Sequence, residues 1–512
     1  MKWYLMPMFD EYKRLIAEAL GQVYAVAKVT ELDHAPQLSD QLKNNIWLKR
    51  EDRQSVFSYK IRGAYNMMAS LTAEQKQQGV LTASAGNHAQ GVALAARELN
   101  INATIVMPKT TPEIKINSVR RLQARVILHG NNYDDAKDYA LELVCAQGLS
   151  YIPPYDHPLI IAGQASVGVE LMQQHKSPDI VFVPVGGGGL ISGLALYIKS
   201  IDPGIKIIAV ESDEAACLHE AMKAGERVEL EHIGIFADGA AVKEIGKENF
   251  RICRELVDEV ILVNVDEICA AVKDIFEDSR AIPEPAGALA LAGLKQYVNK
   301  EKIQAKELVA IFSGANVNFD RLRHIAELAA LGEQREALLC ITIPERRGSF
   351  RILCHDLGPR SITEFNYRFS DAGKAQVFAG IRLKNGITEK QVLLENLQEK
   401  GYEVLDMSDN EVAKMHIRYM IGGRAKQIKD ELLYRFEFPE RSGALLYFLT
   451  EMGDRWNISL FHYRNHGAAY GRVLLGIQVP EEGKKEFKVF LQGLEMQHSE
   501  ETGNPAYQMF LN

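Results

Sequence analysis

"IVFVPVGGGGLISGLALYIKS" (residues 180–200) runs from β-branched residues into four glycines and then into a helical pattern. Ile180–Val185 reads as a strand, Gly186–Gly189 as a loop, and a helix begins near Leu190. Without Cβ atoms, glycine backbone N–H groups can converge on an anion, and the helix N-terminus adds partial positive charge. The plainer reading is a flexible turn. Glycine in regular structure costs about 0.5–1 kcal/mol each, so a bare turn would rarely use four in a row. The loop lacks the Lys-Ser/Thr of a Walker loop and the GxGxxG dinucleotide spacing. It reads as a phosphate site held without a metal.

Outward from this stretch the same grammar repeats. Between about residues 46 and 315, the runs "ATIVMP", "ARVILHG", "DIVFVPVG", "IKIIAVES" and "ELVAIFSG" alternate with helical patterns such as "HAQGVALAARELN" and "DEICAAVKDIFEDSRA". Alternation of this kind predicts parallel βαβ units in an open α/β sheet, with a ligand crevice at the strand ends. Three further junctions carry polar residues. In "SYKIRGA" (58–64), Lys60 lies between a short strand ("NNIWLKRED") and a helix with Ala64, Met67, Met68 and Leu71 along one stripe. Ser84, Gly86, Asn87 and His88 cluster before the helix of "TASAGNHAQGVALAAREL". They read equally as an N-cap turn or as donors to a carboxylate and a ring oxygen. In "VAIFSGANVNF", Ser313 ends a strand, as a cap or as a contact for a heteroaromatic nitrogen. Glu284 in "AIPEPAGALALAGL" reads as a first-turn helix carboxylate.

Bulk composition narrows the function classes. A chain of 512 residues should hold more than one core. A net charge of -8 without a basic block argues against nucleic acid. Six scattered cysteines without CxxC pairs argue against a zinc ribbon or a disulfide scaffold, so reduced thiols are expected. The opening residues carry Asp10 and Glu11 early, and the longest apolar stretch is broken by Pro184 and the glycines. No signal peptide and no membrane span are expected, and the chain is expected to be cytoplasmic.

The character changes after a charged helical stretch near residues 321–335, and the remainder of the chain repeats itself. "IPERRGSFRILCHDLG" (343–358) matches "FPERSGALLYFLTEMG" (438–453), and "ITEFNYRFSDAGKAQVFAGIRL" (362–383) matches "ISLFHYRNHGAAYGRVLLGIQV" (458–479). The offset is 95 residues at Pro344/Pro439 and 96 at Tyr367/Tyr463. Four pieces in the same order predict a duplicated β-α-β-β unit.

Taken together, "SYKIRGA", "SAGNHAQG", "VPVGGGGL", "FADGAAVKEIG", "EPAGALALAG" and "SGANVNF" resemble the fold-type II pyridoxal-phosphate enzymes. In motif order and over nearly the whole chain, the resemblance is to threonine deaminases (threonine ammonia-lyases) of the biosynthetic type. The C-terminal tandem looks like their paired ACT-like regulatory domains. The resemblance implies a catalytic domain over 1–320, a neck over 321–335 and α+β ACT-like domains over 336–410 and 431–503. It implies pyridoxal 5'-phosphate as cofactor, with Lys60 as Schiff-base lysine and general base. Asn87 becomes the partner of the ring O3', Ser313 that of the pyridine nitrogen, and Gly186, Gly187, Gly188, Gly189 and Leu190 the phosphate cup. Ser84, Gly86 and His88 would lie in the substrate-carboxylate loop. The implied reaction is β-elimination of L-threonine to 2-oxobutanoate and ammonia, the first step of isoleucine biosynthesis. L-Serine differs by one methyl, worth about 1–3 kcal/mol in a pocket, and is expected as a second substrate. Isoleucine as inhibitor, valine as activator and a homotetramer are also implied, with Tyr367 and Tyr463 as effector contacts. Relatives that bind a divalent cation use acidic side chains near the segment matching "VESDEAACL"; here Glu211 is present but Cys217 stands where a second carboxylate is expected, so no metal is expected. A reading of another class is a pyridoxal-phosphate pseudoenzyme or amino-acid sensor with the tandem as its working part, against which Lys60 and the glycine cup both speak.

Overall fold

The structure, a computed structural model, describes residues 6–319, 321–332, 335–368, 373–410, 413, 428–439, 444–464, 470–494 and 496–504. The chain divides into two compact units, Met1–Ala329 and Ala330–Asn512. Among the described residues, no helix is long and apolar enough to cross a membrane.

The first unit holds β1 (Leu32–His34), β2 (Asn45–Arg50), β3 (Val80–Ala83), β4 (Ala103–Met107), β5 (Arg125–Leu128), β6 (Ser150–Tyr151), β7 (Ile180–Pro184), β8 (Lys206–Ser212), β9 (Glu259–Val263) and β10 (Glu307–Phe312). They form two open, mostly parallel sheets. The larger has order β1-β2-β10-β7-β8-β9 and the smaller β5-β4-β3-β6. All pairings are parallel except β1 with β2. Strands β3–β6 are consecutive in sequence and pair only among themselves. Strand β2 instead pairs with β10, so the larger sheet is closed by segments from both ends of the unit.

The helix Lys60–Ala69 packs against the helices Asn87–Leu99 and Pro158–Gln174. Its residues Ile61 to Met68 are all buried, so the apolar stripe read from the sequence understates how enclosed it is. Two small residues permit this approach. A Cβ on Gly91 would lie 3.1 Å from the Lys60 carbonyl carbon, and one on Gly163 would lie 2.7 Å from the Arg62 oxygen. Arg62 is itself fully buried. Its guanidinium meets Glu51 at 2.7 Å and Glu170 at 2.6 Å, and Lys49 meets Glu170 at 2.7 Å. Two cations and two anions thus neutralise one another without solvent, the condition under which buried charge is tolerated.

The second unit is one antiparallel sheet built from β11 (Glu336–Pro344), β12 (Ile362–Arg368), β13 (Lys374–Arg382), β14 (Glu403–Asp406), β15 (Glu431–Pro439), β16 (Asn457–Arg464), β17 (Tyr470–Gln478) and β18 (His498–Glu500). The order is β14-β11-β13-β12-β16-β17-β15-β18. Each copy of the repeat is βαββαβ, one helix and one strand longer than the unit read from the sequence. The helices are Ser349–Leu357 and Gly386–Glu399 in one copy, Ala444–Met452 and Lys484–Gly493 in the other. The second copy's residues 440–443 and 465–469 lie outside those described. The copies join through β12 and β16, where Tyr367 pairs with Phe461, Asn366 with His462 and Phe365 with Tyr463. Since Tyr367 matches Tyr463 and Phe365 matches Phe461 in the repeat, each copy offers the other the same edge, as at a two-fold interface. One core of side chains from both copies backs the sheet.

Candidate active site

Lys60 is the first residue of its helix. Its Nζ donates to the Pro154 carbonyl at 3.0 Å, and no carboxylate pairs with it among the described residues. Burial lowers the amine's pKa to about 8, while Glu284 acts from beyond ion-pair distance in the opposite sense. A large share of the amine is therefore neutral near pH 8, the form able to add to an aldehyde or take a proton.

The carbonyl that holds Lys60 belongs to a dipeptide that also covers the glycine loop. A Cβ on Gly187 would fall inside the Tyr155 ring, and one on Gly189 would lie 3.0 Å from the Tyr155 carbonyl oxygen. Gly188 has φ of +91°, a left-handed conformation that disfavours a side chain. The helix Gly189–Ile201 comes next with no side-chain cap, leaving its first N–H groups to an anion. Asn249 braces the loop through Nδ2 to the Gly187 oxygen at 2.7 Å, and its buried Oδ1 has no hydrogen-bond partner. An uncapped glycine cradle bridged to a buried lysine fits a phosphorylated aldehyde.

On another side of Lys60 stands a polar cluster. Asn87 begins the helix Asn87–Leu99 and donates from Nδ2 to Glu284 Oε1 at 2.5 Å. Its Oδ1 accepts from Asn316 Nδ2 at 2.6 Å. Burial pushes Glu284 up to about 7, and Asp238 adds to the rise; Asn87, Lys115 and Arg321 oppose it. Asp238 pairs with Lys115 and, at 3.5 Å, with Arg321. Ser313 comes just after β10 and donates from Oγ to the Ala286 carbonyl at 3.3 Å. Lys60, Asn87, Ser313 and the glycine loop, far apart in sequence, thus gather around Pro154, Tyr155 and Glu284.

The loop before Asn87 is less uniform. Ser84 Oγ accepts from Gly86 N at 3.3 Å, a local turn. His88 is buried, with Nε2 at 3.0 Å from the Ile152 carbonyl. Burial, then the charge of Lys60, push its pKa down to about 3, so the imidazole is neutral and bound to backbone.

Sequence reasoning gave Glu284 only a helix-end role and missed Pro154, Tyr155 and Asn316. Glu284 does occupy the N-cap position of the helix Pro285–Glu301, but it makes no capping bond. Its side chain is turned into the cluster instead. A glutamate set among apolar and small residues was the available signal. Nothing local marked Pro154 and Tyr155.

Glu211 accepts from Leu218 N at 2.9 Å and His219 N at 2.8 Å, with Cys217 Sγ at 3.6 Å. Among the described residues, no cluster of three or more His, Cys, Asp and Glu is arranged to hold a metal ion. In the second unit Tyr367 is only 2% exposed; its hydroxyl donates to Glu345 Oε2 at 2.5 Å, and its ring meets Phe350 edge-on at 4.7 Å. Tyr463 is half-buried against the same core.

Residues 24–314 match the model of pyridoxal-phosphate dependent enzymes. Residues 327–417 and 422–511 each match the C-terminal regulatory domain of threonine dehydratase. The chain is 53% identical to the biosynthetic L-threonine dehydratase of Escherichia coli over 99% of its own length and 98% of the relative's. It is 48% identical to the mitochondrial threonine dehydratase of Saccharomyces cerevisiae, over 98% and 89%. Among solved structures, the processed form of threonine deaminase isoform 2 from Solanum lycopersicum matches with a TM-score of 0.61 and 49% identity, covering 62% of this chain and 94% of that one. Maize serine racemase matches with a TM-score of 0.58 and 32% identity, covering 61% and 95%. The chain belongs to the pyridoxal-phosphate-dependent enzymes and, within them, to the biosynthetic threonine dehydratases.

Proposed function

From that membership we propose that this chain converts L-threonine to 2-oxobutanoate and ammonia, with Lys60 as the amine that anchors the cofactor and moves the Cα proton. The observation that carries the residue assignment is the buried Lys60 amine, bridged through Pro154–Tyr155 to an uncapped glycine loop. When bound, pyridoxal phosphate supplies an aldehyde for the substrate amine and an electron-accepting ring that makes the Cα proton removable. The chain's own groups do the rest. Backbone N–H groups of Gly186 to Leu190 hold the phosphate. Asn87 donates to the ring oxygen. Ser313, a neutral hydroxyl, would turn its hydrogen from the Ala286 carbonyl to the ring nitrogen and, unlike a carboxylate, would not hold a proton there, which favours elimination over racemisation. Lys60 in its neutral form would take the Cα proton; with that proton the β-hydroxyl is lost as water overall, and the released enamine takes up water to give 2-oxobutanoate and ammonia. Ser84, Gly86 and His88 lie in the loop that receives the substrate carboxylate. L-Serine fits the same chemistry.

Catalysis and control divide between 1–320 and the repeats at 336–410 and 431–503, with 321–335 between them. Isoleucine inhibits and valine opposes it through the repeats, where Tyr367 and Tyr463 occupy equivalent places; the working form is a cytoplasmic homotetramer. Two measurements test the core of this reading. The purified chain should bind pyridoxal phosphate with a visible absorbance band and release 2-oxo acid from threonine. A chain that binds the cofactor yet releases no 2-oxo acid from threonine or serine refutes it.

A further inference from the structure

Asn87 is the group whose orientation matters most for a ring oxygen, because an amide offers a donor on one side and an acceptor on the other. In this fold that choice is made by a chain of three contacts. Asn316 Nδ2 donates to the Val56 carbonyl at 2.9 Å as well as to Asn87 Oδ1 at 2.6 Å, so both of its hydrogens are used and its own orientation is settled. Asn87 must therefore present its oxygen to Asn316 and its nitrogen to Glu284, whose carboxylate accepts at 2.5 Å. Turning the amide over would set oxygen against carboxylate and NH2 against NH2. The second Nδ2 hydrogen has no partner among the described residues, although Asn87 is only 8% exposed. A buried donor left in this way points to a ligand.

The residue that carries the carboxylate is fixed at its own backbone. The Glu284 N–H donates to the Gly314 carbonyl at 3.2 Å. A Cβ on Gly314 would collide with Glu284 Oε1, and one on Gly239 would lie 3.6 Å from Asn87 Nδ2 and 3.7 Å from Glu284 Oε1. Glycine at 314 leaves room for the carboxylate to meet the amide, whereas a Cβ at 239 would make only ordinary contact with the pair. We infer that Glu284 and Asn316 are positioning residues that lock the Asn87 carboxamide with one N–H hydrogen presented to the cofactor's ring oxygen, an inference that rests on the cofactor role proposed for Asn87.

The test is a pyridoxal-phosphate titration of the full-length apoenzyme, read by absorbance and fluorescence, on single and double variants. Glu284→Leu removes the acceptor and should weaken cofactor binding about tenfold, whereas Glu284→Gln retains an acceptor oxygen and should stay within about threefold of wild type. In an Asn87→Ala background, where there is no amide left to orient, Glu284→Leu should add less than about twofold. Asn316→Leu should give the same pattern, and it keeps the inference open to refutation if Glu284→Leu does not fold. A full tenfold loss from either leucine variant on top of Asn87→Ala overturns the positioning role, as does a Glu284→Gln protein as impaired as Glu284→Leu. Wild-type affinity in Asn87→Ala alone strikes instead at the cofactor role of Asn87, and the positioning role falls with it.

Discussion

Around Lys60 the catalytic unit buries charge: Lys49, Glu51, Arg62 and Glu170 form a closed set, and Glu284 lies beyond them with a hydrogen-bonded amide. Around Tyr367 the C-terminal unit buries rings, with Phe350, Phe365 and Phe461 meeting at centroid distances of 5.4 to 6.4 Å. The contrast comes from how each unit is made. A charged cluster needs partners of defined sign and direction, and here Lys49, Glu51 and Arg62 come from one stretch and Glu170 from 108 residues beyond Arg62. Aromatic packing asks only for shape and apolar area, so a duplicated segment can supply it twice and meet its copy at the same edge. Chemistry is concentrated where nothing repeats.

The sharpest way to break the comparison is at the lysine. Lys60→Ala should lower threonine turnover by about 10³-fold or more, since anchor and general base are lost together. Measured 2-oxo acid release close to wild type would remove Lys60 from the chemistry. Next comes the charge cluster. Arg62→Leu strands Glu51, leaves Glu170 with Lys49 alone, and should destabilise the catalytic unit by about 3–5 kcal/mol. Phe461→Leu, in the aromatic core, should cost about 1 kcal/mol. Urea unfolding of each variant decides whether buried charge is the more fragile arrangement.

Regulation offers a subtler separation. A chain ended after Leu331 should keep threonine turnover and lose its response to isoleucine, whereas Tyr463→Leu should shift the inhibition curve by roughly 5–150-fold, the range of ordinary coupling energies. Undiminished inhibition of the shortened chain would place the effector site in the catalytic unit.

The smallest effects are pH-dependent. Because burial lowers Lys60 to about 8 from 10.5, the rate of cofactor uptake by the apoenzyme should rise with pH through a midpoint near 8. Glu284→Gln removes the charge that raises it and should move that midpoint downward; a wild-type midpoint near 10.5 would mean the amine is solvated. Burial likewise raises Glu211 to about 7 from 4.5, against its two backbone N–H bonds and Cys217. The fold favours its neutral form, so its contribution is complete below about pH 4.5 and fades as pH rises through about 7. Thermal unfolding of Glu211→Gln from about pH 5 to 8 should show a flatter decline than wild type, and parallel curves would remove Glu211 as the source.

Periodicity and turn chemistry in the amino-acid sequence were enough to determine the alternating strands and helices, the strand–glycine–helix loop, the junction holding Lys60, and the internal repeat. The first three are encoded within about 20 neighbouring residues, where side-chain spacing and glycine placement act directly on the backbone, and the repeat is read by matching segments 95 or 96 residues apart. Tertiary structure alone decided that the first unit holds two sheets, because strand length and hydrophobicity do not say which strands pair. It alone decided that the repeats share one sheet through β12 and β16. The site's wiring belongs there too. Lys60 meets Pro154 across 94 residues, Asn87 meets Glu284 across 197 and Asn316 across 229. A hydrogen bond over such a separation is specified by the fold that brings its ends together, and no local pattern of residues records it.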